Sequence, residues 1–370
     1  MDGAIVGRLC GVMERHGLDA VVGYSKENVR YCGGYTVQSQ EMGVHNRQFA
    51  VAVNRDGQSA MLLTANEMQE AKVRSSIKDL HPYDEFADDP MAVLAGALRG
   101  LGVAEGRVGL EMDAIPADRW EDLKKALPRT KWIAGGEAFQ EARMVKTPAE
   151  LNHLRKAAQI AEEAQAEAHK MVRVGVTEQD VYRAIVDNAL ARGAERVLMV
   201  QVAAGERSSY SNPVPSQEQL RRGDMVKIDV FVSSAGYLSD TGRAFAVGEA
   251  KPEYKEAWAC MQETLANVHA TIHAGGNTSD LWNAFTKGFA KYRMEPAIRF
   301  LGHGLGLSLH EEPFIAAHTN VELEADMVFA IEPVYRIGNV GFHLEDNLIV
   351  TEHGVENMTS HFDPELIVLG

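Results

Sequence analysis

Five side chains of metal-ligating type stand in order through the last third of this 370-residue chain: Asp229, Asp240, His303, Glu332 and Glu345. Four carboxylates and one imidazole form a hard, oxygen-rich set suited to divalent cations such as Mn²⁺, Co²⁺, Fe²⁺ or Zn²⁺, which points to metal-assisted hydrolysis. Asp229 lies in the apolar run Val226-Lys227-Ile228-Asp229-Val230-Phe231, where alternation puts it on the face of Lys227 and Phe231. A carboxylate in such a strand is costly to bury unless paired or coordinated. Asp240 follows on the next strand, eleven positions later (240 minus 229), so a hairpin can bring the two together. Glu332 and Glu345 each stand inside an apolar strand, and the segment GHGLGLSLHEEP (302–313) offers His303 and His310 among glycines that allow close backbone approach. Taken singly, each acid reads as solvated, capping or salt-bridged. Taken together they need more cationic partners than Lys227, Arg243 and Arg336 supply, and two bound cations would neutralise them at once. A metal pair at roughly 3.5–4 Å separation generates hydroxide from a bridging water and polarises a carbonyl.

The elements that must position these groups are legible in part. Residues 1 to about 137 alternate helical and strand patterns: a helix with Ile5, Val6, Leu9, Val12 and Met13 on one face, then the strand DAVVGY, then QFAVAVN and SAMLLT around a hairpin at Arg55-Asp56-Gly57. RVGLEM (107–112) predicts another strand, and helices are expected near 90–101 and 117–126. A boundary falls at 137–146, because Thr147-Pro148-Ala149-Glu150 is a strong helix start with a cap, a proline at the first helical position and a capping-box glutamate. The helix runs to about Val172; Thr177 opens a second, which Gly193 ends. Strands MVKIDVFV and YLSDTGRAFAVG follow, then helices at 253–273 and 278–292, then strands MVFAIEPVYR and GFHLEDNLIVT around Ile337-Gly338-Asn339. Most ligands thus sit on a mostly antiparallel sheet backed by helices, an α+β arrangement. The expected division is 1–140 for a smaller N-terminal α/β domain and 145–370 for the catalytic domain.

The length exceeds what one core usually serves, and 45% hydrophobic with 24% charged residues is ordinary for a globular protein. A net charge of −15 argues against nucleic-acid or anionic-membrane partners, and no segment has the roughly 20 apolar residues of a membrane span. Cys10, Cys32 and Cys260 are scattered and odd in number, which fits a reducing cytoplasm better than a disulfide framework.

From about 145 to 370 the chain resembles the pita-bread metallohydrolases, the family of prolidase, aminopeptidase P, creatinase and methionine aminopeptidase. The matching motifs are Asp229 with Asp240, GHGLGLSLHEEP, AIEPVY and HLEDNLIVTEHG. The N-terminal third, including Asn28-Val29-Arg30-Tyr31-Cys32-Gly33-Gly34-Tyr35, looks like the extra domain of the prolidase and creatinase branch, which methionine aminopeptidases lack. The resemblance implies two divalent ions, Mn²⁺ first, with Co²⁺, Zn²⁺ or Fe²⁺ as alternatives. Asp229 would chelate one, Asp240 and Glu345 would bridge both, and His303 and Glu332 would complete the shell. It implies further that Glu332 handles the proton of the nucleophilic water and that His310 stabilises the tetrahedral intermediate or substrate carbonyl. A homodimer is also implied, with the N-terminal domain of one protomer reaching the partner's site through the stretch containing His45 and Arg47.

Two departures concern the substrate side. Family peptidases carry a histidine shortly before the first aspartate, but the chain has Ser211 and Asn212 there, and His343 stands where the family has arginine. The expected substrate-binding residues are therefore Asn212, His343, His45 and Arg47. The leading reading is a dinuclear hydrolase of the Xaa-Pro dipeptidase type, cleaving a short peptide or peptide-like amide. The alternatives are a hydrolase or lyase of a small non-peptide metabolite (a cyclic amidine, guanidino acid or sulfonium compound) and a non-catalytic binding module.

Overall fold

The computed structural model describes residues 3–359 and 365–370. The chain divides into two compact units, Met1–Arg143 and Met144–Gly370.

The first unit is built on a six-stranded mixed sheet. Its strands lie in the order Asp79–Tyr83, Ser59–Thr64, Ala50–Asn54, Ala20–Gly23, Arg107–Leu110 and Lys131–Ala134. The expected hairpin joins Ala50–Asn54 to Ser59–Thr64; the Asn54 side-chain oxygen accepts from the backbone of Asp56 and Gln58, and Gly57 takes φ +76°. The helix Pro90–Gly100, capped by Asp89, buries Met91, Leu94 and Leu98 against this sheet. His45 is exposed in the loop before Ala50–Asn54. Arg47 is tied down: Nε and Nη2 donate to the Glu85 carboxylate at 2.9 and 3.2 Å, and Nη1 donates to Ser39 Oγ at 3.0 Å.

The second unit repeats one theme, a helix pair backing an antiparallel sheet. The helices Pro148–His169 and Glu178–Ala191 pack on a sheet ordered Val368–Leu369, Thr241–Val247, Met225–Ser234, Arg196–Ala204, with Tyr237–Leu238 beside it. The helices Pro252–His269 and Thr278–Lys291 pack on a second sheet ordered Glu311–Ala316, Phe300–Gly304, Val328–Ile331, Asp346–Thr351, Gly354–Asn357. A two-stranded ribbon, Val334–Ile337 with Val340–His343, completes the unit. Every pairing in it is antiparallel except Ala246 with Val368 and Val247 with Leu369.

Two expectations need correction. MVFAIEPVYR is two strands broken at Glu332-Pro333, and GFHLEDNLIVT is two strands broken at Leu344-Glu345. Glu332 and Glu345 therefore occupy breaks rather than strand interiors. Proline has no N–H to give to a ladder, so Pro333 is a natural stopping point. The strands Arg196–Ala204 and Glu311–Ala316 add to those the sequence predicts; the first is exposed over much of its first half, and the second alternates in burial but opens on Glu311-Glu312-Pro313, which hides it in the sequence.

The Thr147 start forms as expected. Thr147 Oγ1 accepts from Glu150 N at 3.3 Å, and the Glu150 carboxylate accepts from Thr147 N at 2.7 Å. Glu150 also takes the Tyr237 hydroxyl at 2.9 Å, so the cap ties the helix to the sheet it covers. Replacing Thr147 with Ala should lower stability by about 1 kcal/mol, read as a lower urea midpoint at unchanged slope. An unchanged midpoint would show that the box contributes nothing.

Candidate metal centre

Asp229 sits mid-strand, opposite Gln201 on one side and Gly242 on the other. Asp240 occupies the break between Tyr237–Leu238 and Thr241–Val247. Its backbone is clasped by Asn347, whose Oδ1 accepts from Asp240 N at 3.1 Å while its Nδ2 donates to Asp240 O. Glu345 donates its backbone N–H to Gly242 O at 2.9 Å, which brings the second sheet's carboxylates against the first sheet's. His303 is on Phe300–Gly304, opposite Ala330, one residue short of the Ile331 that leads into Glu332. Its Nδ1 lies 2.9 Å from Gly304 O, and with Nδ1 donating there, Nε2 is the nitrogen that faces the acids and that a cation would take in place of a proton. That Nε2 lies 3.3 Å from Glu332 Oε1 and 3.5 Å from Asp240 Oδ2.

Two of the three positive charges counted as nearest neighbours, Arg243 and Lys227, are committed elsewhere. Arg243 is buried and donates to Asp346 Oδ1 and Thr359 O at 2.8 Å each, with Glu162 Oε1 at 3.5 Å. It also donates to the carbonyls of Gly242 and Glu345, so it frames the site without pairing a ligand carboxylate. Lys227 Nζ donates to Tyr210 O and Ser211 O at 2.6 and 3.0 Å, holding the segment that carries Asn212. Burial lowers its pKa, and Asp229 opposes that shift.

The electrostatics follow. Burial first, then Asp240 and Glu332, push Asp229 well above the usual carboxylate range. Burial, then Asp240 and Glu332, do the same to Glu345. Burial also works against ionised Glu332, but contacts from His303 and His343 outweigh it and hold the group down to about 2. Burial opposes charge on His303, yet Asp240 and Glu332 raise it to about 10. Asp229 Oδ1, both Glu345 carboxylate oxygens, His303 Nε2 and both ring nitrogens of His343 are buried without a hydrogen-bond partner among the described residues. Unsatisfied buried polar atoms are rare and call for an explanation. A cation pair supplies one: three overlapping groups, Asp240/His303/His310, Asp229/His343/Glu345 and His303/Glu332/Glu345, each bring one ligand atom per residue within 4.8 Å of the others. The five ligands expected from the sequence are thus brought together, and the donor set fits two divalent ions.

A cavity of about 320 Å³ opens on Asp229, Asp240 and Glu332. Asn212 lines it, with its Oδ1 accepting from Gln201 Nε2 at 3.0 Å, and so do His310 and His343. His310 is exposed, stacks on His303 with ring centres 3.9 Å apart, and has its pKa lowered by burial of the ring face and then by His303. His343 is buried, 3.4 Å from Glu332 and 3.6 Å from Glu345. His45 and Arg47 belong to the other unit.

The pattern of metallopeptidase family M24 matches residues 152–352, and that of the creatinase/prolidase N-terminal domain matches 6–145. The chain belongs to metallopeptidase family M24. Among its curated relatives, the "Probable dipeptidase PepE" of Mycobacterium tuberculosis is 30% identical over 285 residues, covering 76% of this chain and 74% of the relative. The Xaa-Pro dipeptidase of Pyrococcus horikoshii is 26% identical over 360 residues, 96% of each chain. In structure, the Xaa-Pro dipeptidase from Bacillus anthracis superposes at TM-score 0.86 with 25% identity over 99% of both chains.

The five candidate ligands are legible in the sequence; the residues that support them are not. Lys146 Nζ meets Glu311 Oε2 at 3.2 Å, both buried, and Glu311 Oε1 accepts from Leu307 N and Ser308 N at 3.0 and 3.1 Å. This fixes the loop between His303 and His310, and a Cβ on Gly306 would lie 2.5 Å from the Glu311 carboxylate. The glycine-rich segment itself was the available signal for Glu311; nothing local marks Lys146, Asn347 or Arg243. Stripping divalent ions with chelator should lower the melting temperature, and Mn²⁺ should restore several degrees, since saturation near 100 times Kd contributes about 2.7 kcal/mol. Glu345→Gln should melt higher than wild type when both are stripped, and gain less from Mn²⁺. Equal gains in both proteins would contradict the placement of Glu345 in the centre.

Proposed function

We propose that the protein is a dinuclear metal-dependent dipeptidase acting on Xaa-Pro or closely related dipeptides. The observation that carries this reading is the convergence of Asp229, Asp240, His303, Glu332 and Glu345, with their unpartnered buried atoms, at a cavity of dipeptide size. When bound, a cation pair supplies Lewis-acid polarisation and a lowered water pKa, and Mn²⁺ is the ion we assign first. The prolidases and dipeptidases among the relatives support the peptide class.

The chain's own groups do the rest. Glu332, held ionised by His303 and His343, takes the proton of the attacking water and passes it to the leaving nitrogen. His310, at the cavity wall, donates a hydrogen bond to the oxygen that gains charge. Phe300, Ile298 and Leu309 give an apolar wall for a proline ring. Arg336 lines the cavity, is exposed, and has no ion pair among the described residues, so its guanidinium is available to a substrate carboxylate. A free carboxylate on the residue just past the cleaved bond is what distinguishes a dipeptide. Asn212, positioned by Gln201, contacts the substrate's polar backbone.

We assign the protein to a homodimer in a reducing cytoplasm, supported by its creatinase-type N-terminal domain and three free cysteines. In that assembly His45 and Arg47 would meet the partner's substrate. Arg47→Ala should then raise KM; unchanged KM and kcat would remove that residue from the site.

The decisive assay compares Mn²⁺-loaded protein on Xaa-Pro dipeptides, on non-proline dipeptides and on the same dipeptides with a C-terminal amide. Free dipeptides should be preferred, Arg336→Ala should raise their KM about tenfold, and Glu332→Gln should cut kcat by roughly 10²–10⁴. Turnover of a cyclic amidine, guanidino acid or sulfonium compound with no dipeptide turnover would overturn the reading.

A further inference from the structure

We propose that His343 is itself a metal ligand, giving the centre a second imidazole nitrogen beside His303. The assignment deepens the metallohydrolase reading and depends on it. His343 is 4% exposed, and neither ring nitrogen has a hydrogen-bond partner among the described residues. Both point at members of the five-residue set: Nε2 lies 3.4 Å from Glu332 Oε2 and 3.6 Å from Glu345 Oε2, and Nδ1 lies 4.0 Å from Asp229 Oδ2. One ligand atom each from Asp229, His343 and Glu345 falls within 4.8 Å of the others, a spacing a single cation can span.

The ring is held in that position by backbone. A Cβ at Gly242 would lie 2.5 Å from the His343 ring, so the imidazole lies flat on the glycine directly opposite Asp229. His343 is also locked in register with Val334 on the ribbon, one residue beyond the Glu332-Pro333 break. The ring thus lies between the Gly242 backbone on one side and the carboxylates of Asp229, Glu332 and Glu345 on the other.

Residue type completes the argument. Arginine, which the resemblance led us to expect at this position, has five donors and no lone pair, and can only pair with the carboxylates. Neutral imidazole brings a lone pair. A second nitrogen softens an otherwise oxygen-rich centre, shifting preference toward Co²⁺, Zn²⁺ or Fe²⁺ relative to Mn²⁺.

The test uses the full-length protein loaded with Co²⁺, metal content per chain measured alongside proton NMR of the exchangeable imidazole N–H signals shifted by the paramagnetic ion. Two shifted N–H signals are expected in the wild type, one of them lost in His343→Arg and His343→Asn. Both variants should also lose at least about tenfold in Co²⁺ affinity, with a smaller loss for Mn²⁺. His310→Asn should keep both signals, which separates His343 from the other imidazole grouped with the candidate ligands. Two Co²⁺ per chain with a single shifted N–H would overturn the ligand assignment and leave the hydrolase reading standing. No Co²⁺ uptake would overturn both.

Discussion

Mutual repulsion among buried carboxylates is the constraint on which the rest of the second unit depends. Asp229, Asp240 and Glu345 are each less than a tenth exposed, and Glu332 stands against them. In a low-dielectric site such charges cannot stay ionised together without nearby positive charge. The protein's own cations do not provide it. Arg243 is spent on Asp346, Glu162 and backbone carbonyls, and Lys227 on the carbonyls of Tyr210 and Ser211. The imidazoles of His303 and His343 face Glu332 and hold it ionised, while burial and the neighbouring acids drive Asp229 and Glu345 toward protonation. The arrangement is electrostatically incomplete in a way that divalent cations complete.

Holding that cluster requires rigid backbone from two directions. The two sheets, each stiffened by its own helix pair, contribute Asp229 and Asp240 from one and His303 from the other. Asp240, Glu332 and Glu345 sit where strands break, which frees their side chains from the in-and-out alternation of a regular strand and lets them converge. The breaks are then tied by hydrogen bonds: Asn347 to the backbone of Asp240, and Glu345 N to Gly242 O. Asp229 and His303 stand on strands and the other three candidate ligands at strand breaks, so regular backbone and its interruptions together fix the cluster.

The candidate ligands are legible because Asp229, Glu332 and Glu345 interrupt apolar runs, Asp240 follows Asp229 across a hairpin and His303 stands in a glycine-rich motif, and capping signals at Thr147 and Thr177 place the helices that back the first sheet. The supports were illegible because their roles exist only across long sequence separations. Lys146 meets Glu311 over 165 positions, and Arg243 meets Asp346 over 103. Nothing in the residues around Lys146 predicts a buried ion pair. The strand breaks at Glu332 and Glu345 were also missed, since apolar continuity outweighed Pro333 as a signal. His343 was assigned to the substrate by its place in a motif; its position against Gly242, Glu332 and Glu345 is information only the fold contains.

The central claim is that these residues bind two cations in one cluster. Anomalous diffraction from Mn²⁺-loaded crystals, collected at the manganese edge, tests it most directly. Two peaks roughly 3.5–4 Å apart are predicted, flanked by Asp229, Asp240, His303, Glu332 and Glu345. No peak at these side chains, or manganese bound elsewhere with the carboxylates still unpartnered, would contradict it.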